Sequence, residues 1–131
     1  MIRAKVLPDV LSQIVGDGVT ATLLMTVDGA LLGSVGSLTS ETTAVDAKVV
    51  GAIVANVWGE YAQSAKEIFT DESLQVLFVN FDKDKCLGII SASPGYLLCA
   101  YSNGEAPLGL VKSKLEALQP FLVDALQQIQ V

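Results

Sequence analysis

Three of the four connections between strand-forming runs in this chain are turns of a few residues, and that spacing decides what kind of sheet it can build. Val19, Ala21, Leu23, Met25 and Val27 alternate with Thr20, Thr22, Leu24 and Thr26, a period of two with one apolar face. Asp28-Gly29 follows, a strong hairpin signal because both central residues of a type I′ turn need φ > 0. Residues 30–35 read as the return strand. Residues 74–81, Leu-Gln-Val-Leu-Phe-Val-Asn-Phe, form a third strand, and Asp82-Lys83-Asp84 turns the chain into a fourth over 85–91. Ser93-Pro94-Gly95 then leads into a fifth over 96–101, which Asn103-Gly104 closes. Parallel neighbours need crossovers of a dozen residues or more, so connections this short predict antiparallel ladders.

Helical spacing fills the rest. Val6, Leu7, Val10, Leu11 and Ile14 predict a first helix over about 2–15, with Pro8 tolerable only near its start. Gly16-Asp17-Gly18 stops it with residues that accept positive φ. A second helix covers about 41–66, with Thr39 or Ser40 as its cap. Ala47, Val50, Val54, Val57, Trp58 and Tyr61 form one broad apolar face on it. Val45, Val49, Ala52 and Asn56 run along the opposite side with Ile53 beside them. A helix apolar on two sides must be covered on two sides, and its own sheet covers only one. Pro107 opens a third helix, marked by Leu108, Val111, Leu115, Leu118, Leu122, Ala125 and Ile129. Pro120 interrupts that pattern and predicts a bend near Gln119 or a separate last turn. The order is αββαβββα, an α+β chain in three layers and a single domain over 1–131.

Composition narrows the function. With 51% hydrophobic and 17% charged residues, the chain has more apolar surface than a small monomer hides, which points to a membrane or a permanent partner. The longest apolar stretch, 49–58, is half of the roughly 20 residues a spanning helix needs, and turn residues at 91–95 break the uncharged 86–104 segment. The ends show no secretion signal, no myristoylation glycine and no prenylation cysteine, so direct membrane insertion is not expected. The net charge is −6 and the 8 basic residues are scattered, which argues against nucleic acid. The chain has no histidine, which removes Ser–His and Cys–His nucleophile pairs and histidine-containing zinc sites. Cys86 and Cys99 make no CxxC and read as buried free thiols. Asp82-Lys83-Asp84 lacks a calcium-loop pattern, and the glycines at 29, 33 and 36 make no phosphate-loop motif. Asp71-Glu72 reads as solvated loop charge. No catalytic, cofactor or metal site is therefore expected.

Two features stay open at this level. Asn56 is either a helix-surface residue or a polar residue inside a helix–helix seam, where a single Asn sets register. The 74–81 run is either a central buried strand or an edge strand that needs another chain to extend the sheet.

The segments Gly18-Val19-Thr20-Ala21-Thr22-Leu23-Leu24-Met25, Asp28-Gly29-Ala30-Leu31-Leu32, Ala55-Asn56-Val57-Trp58 and Leu97-Leu98-Cys99-Ala100-Tyr101, in this order, resemble the roadblock (dynein light chain) superfamily. Residues 1–13 and Lys112-Ser113-Lys114-Leu115-Glu116-Ala117-Leu118 are similar to its late endosomal/lysosomal adaptor branch, the Ragulator subunits that pair with a MEK-binding partner. The resemblance implies a five-stranded antiparallel sheet of order 2-1-5-4-3, with the first and third helices on one face and the second on the other. It implies pairing through the second helix and an edge third strand, which makes Val45, Val49, Ala52, Ile53, Asn56, Leu74, Val76 and Phe78 the candidate interface. It further implies a non-catalytic scaffold subunit on the cytoplasmic face of late endosomes or lysosomes. There it would join a second roadblock-type subunit, a lipidated membrane-anchor subunit and Rag-type small GTPases, in mTOR and MAP-kinase signalling. Pro120 and the Ser/Thr-rich 36–40 loop depart from the family pattern. Two alternatives differ in class. One is a homodimeric activating protein for a small GTPase, weakened because Arg3 is the only arginine. The other is a profilin-like small-ligand sensor, which would need more polar residues in the apolar runs.

Overall fold

The computed structural model describes residues 7–36, 47–70, 73–80 and 85–129. The expected helix residues 2–6 and 41–46, the Thr39 or Ser40 cap, the Asp71-Glu72 pair and the Asp82-Lys83-Asp84 turn lie outside these. A short helix α1 (Leu7–Leu11) tightens into a 3-10 turn over Ser12–Ile14, so the first helix is not one α-helical piece. Gly16, Asp17 and Gly18 then all take positive φ and turn the chain into the sheet. The Lys114 ammonium donates to the carbonyls of Ile14 (3.1 Å) and Gly16 (2.7 Å) and lies 3.7 Å from the Asp17 carboxylate, tying this turn to the third helix.

The strands β1 (Val19–Thr26), β2 (Leu31–Gly36), β3 (Val76–Asn80), β4 (Cys86–Ser93) and β5 (Tyr96–Ser102) form one sheet of order β2-β1-β5-β4-β3. Every pairing is antiparallel. The first hairpin differs from the expected two-residue type I′ turn. Gly29 has positive φ and Asp28 does not. Gly29 N–H donates to the Thr26 carbonyl, Thr26 N–H donates to the Ala30 carbonyl, and the register slips between Leu24 and Met25. This is a three-residue loop closed by a left-handed glycine, which spares Asp28 the strained conformation.

Alternation along the strands divides the core in two. Leu24, Ile90, Leu98 and Ala100 point to one face, where Leu11 and Ile14 meet Val111, Leu115, Leu118 and Leu122 of α3 (Leu108–Ile129). Leu23, Met25, Ile89, Leu97 and Cys99 point to the other, under Val54, Ala55 and Trp58 of α2 (Ala47–Ile68). The result is three layers with two helices on one side and one on the other. α3 runs through Pro120 without a separate last turn. Leu118 and Leu122 are both buried on either side of the proline, and their packing outweighs its helix-breaking tendency.

Candidate partner interface

The outward side of α2 carries an apolar ridge. Val49, Ile53, Val57 and Tyr61 follow one another at intervals of four residues, the spacing that forms a ridge on a helix surface. Val49 is 53% exposed, Ile53 59% and Tyr61 58%, while Val57 is half-buried. Ala52 and Asn56 are exposed beside the ridge. The second apolar side expected for this helix is therefore present and uncovered. Val45 lies outside the described residues.

The sheet-facing side needs three corrections, the first being Val57, which was expected there and stands instead in the outward ridge, half-buried and outside the core beneath the helix. Ala55 belongs to the sheet-facing side, packed in the core beneath the helix. Tyr61 does not, since it is exposed together with Ile68 and Phe69. α2 packs chiefly across β1 and β2, and past Trp58 only the small Ala62 still joins the core, so burial fades along its last turns.

Among the described residues β3 is an edge strand, paired on one side with β4, so the 74–81 run is not a central strand. Its side chains separate by parity. Val76 and Phe78 pack into the core shared with α3, whereas Leu77 and Val79 are half-buried on the α2 side. Leu74, just before the strand, also packs on the α2 side. The candidate residues thus do not make one patch: Val49, Ala52, Ile53 and Asn56 point outward from α2, and Val76 and Phe78 lie on the opposite face of the sheet.

Gly88 explains that choice of faces. It pairs with Phe78 across the β3–β4 ladder, and a Cβ there would stand 2.9 Å from the Phe78 ring, 3.0 Å from Leu115 and 3.2 Å from Val111. The missing side chain makes room for the Phe78 ring and for the close approach of α3. Sequence reading missed Val57, Tyr61, Leu77 and Val79 as members of the uncovered α2-side surface. The four-residue spacing Val49–Ile53–Val57–Tyr61 was the signal that marks two of them.

Between the β1–β2 turn and α2 lies a shallow groove of about 400 Å³, lined by Asp28, Asn56, Glu60 and Gln63 over Ala52, Ala55 and Gly59. A second cavity of about 540 Å³ lies among Asn80, Cys86 and residues 104–108 at the start of α3. Both cysteines are free and buried, and burial pushes both thiols above their ordinary value, most strongly at Cys99. Among the described residues no cluster of His, Cys, Asp and Glu could hold a metal ion, and no helix is long and apolar enough to cross a membrane. The geometry offers an outward apolar ridge on α2 and, elsewhere on the same sheet, an edge strand with one neighbour among the described residues, surfaces suited to another protein chain.

Comparison with known proteins agrees with this architecture. The profile of the Roadblock/LC7 domain matches residues 10–102. The chain is 32% identical over 122 residues to the Caenorhabditis elegans protein named Ragulator complex protein LAMTOR2 homolog, across 93% of this chain and 90% of that one. Among solved structures, Myxococcus xanthus MglB superposes with a TM-score of 0.82 at 18% identity, covering 98% of this chain and 94% of that chain. A Roadblock/LC7 domain from Streptomyces avermitilis gives 0.74 at 19% identity, covering 92% and 98%. At such identities the two structures speak for the fold.

Proposed function

The chain belongs to the Roadblock/LC7 domain family, and from that premise we propose that it is a non-catalytic adaptor subunit of a Ragulator-like complex. In this reading residues 1–131 form a single roadblock-type domain that heterodimerises with a second roadblock-type subunit. The pair joins a lipidated membrane-anchor subunit on the cytoplasmic face of late endosomes or lysosomes. There it holds Rag-type GTPases and components of mTOR and MAP-kinase signalling. The chain supplies binding surface and needs no cofactor or metal of its own.

One observation carries the reading: the exposed ridge Val49–Ile53–Val57–Tyr61 on the same side of the sheet as Leu77 and Val79 of the free edge β3. A second roadblock chain covers such a surface by laying its own helix on the ridge and extending the sheet past β3. In that arrangement Val49, Ala52, Ile53 and Asn56 lie in the helix seam, Leu74 beside it, and Val76 and Phe78 contribute through the β3 backbone. The similarity to a named Ragulator subunit over nearly the whole length of both proteins supports the choice of complex.

The test is to mix the purified chain with the roadblock-type subunit that co-purifies with it and measure mass in solution. A one-to-one heterodimer at micromolar concentration is the expected result. A homodimer that excludes the second subunit and accelerates GTP hydrolysis by a small GTPase would replace this proposal with a GTPase-activating role.

A further inference from the structure

We draw no further inference here: the strongest candidate, the groove of about 400 Å³ between the β1–β2 turn and α2 where Asp28 and Glu60 flank a floor of Ala52, Ala55 and Gly59, adjoins the partner face already described, and nothing in the structure shows what occupies it.

Discussion

Ile53 and Val54 are neighbours in sequence, yet they project from α2 in directions about 100° apart, so one charge placed at each position separates the two faces of the helix. Ile53 is 59% exposed and Val54 3%. Ile53→Arg puts a flexible cation where the isolated chain meets solvent, so its own stability should change by no more than about 0.5 kcal/mol. In a paired state the cost is larger. Complete burial of an isoleucine is worth about 1.5–3 kcal/mol, and the part still exposed here would supply roughly half of that to a partner. An unpaired charge in the same seam adds about 3 kcal/mol or more. The sum is about 4–5 kcal/mol, a roughly thousandfold or greater rise in Kd at about 1.4 kcal/mol per tenfold. Val54→Arg buries its charge under the chain's own sheet and should prevent folding. Circular-dichroism melts would give the fold stability and isothermal titration calorimetry with the second roadblock-type subunit the affinity. The reasoning is refuted if Ile53→Arg lowers fold stability by several kcal/mol, or if it folds normally and binds its partner with unchanged affinity.

Four further outcomes follow from the packing. Pro120→Ala should stabilise the chain by about 2 kcal/mol in urea melts, because α3 is continuous there; an interior proline costs about 3 kcal/mol against alanine, less about 0.4–1 kcal/mol for the freer unfolded chain. A neutral or destabilising result would mean that the proline ends one helix and begins another. Gly88→Val should destabilise by about 2–3 kcal/mol, since even a Cβ would press on Phe78, Leu115 and Val111; thermal melts that show no loss would mean that α3 and the ring have space to withdraw. Thr22 is fully buried in β1 and its hydroxyl has no hydrogen-bond partner among the described residues, so the isosteric Thr22→Val should raise stability by about 1 kcal/mol, and a lower urea midpoint would point to a partner for that hydroxyl. Cys99 has a thiol raised well above the ordinary range of about 8.5, so its contribution is complete below that pH and is lost as pH rises and the unfolded thiol ionises. Stability should fall between pH 8 and 10, and less steeply in Cys99→Ala; equal slopes would show that other groups carry the alkaline loss.

The chain's elements were legible in its residues because each rests on local physics. The Val19–Val27 alternation fits a pleated strand with one buried face, and Gly16-Asp17-Gly18 supplies the positive φ that ends the first helical segment. Turns too short for a crossover leave only antiparallel neighbours. The two-sided apolar pattern of the second helix announced a face that its own sheet does not cover. Strand order is different, since no periodicity states which strands are neighbours, and it was anticipated through family resemblance alone.

Tertiary packing decided the remainder. The Leu-Gln-Val-Leu-Phe-Val run is apolar at both parities, so its pattern does not say which side chains turn toward α3. The space left by Gly88, on a strand about ten residues away in sequence, takes Phe78 and turns Leu77 and Val79 toward α2. The burial of Leu118 and Leu122 carries α3 past a residue whose intrinsic tendency is to break it. Tyr61 fits the buried face of a helical wheel, but the wheel does not record where the helix leaves the sheet beneath it. Local propensity acts over a few residues of chain, whereas facing, strand order and helix continuity come from contacts between residues far apart in sequence, and those exist only in the assembled fold.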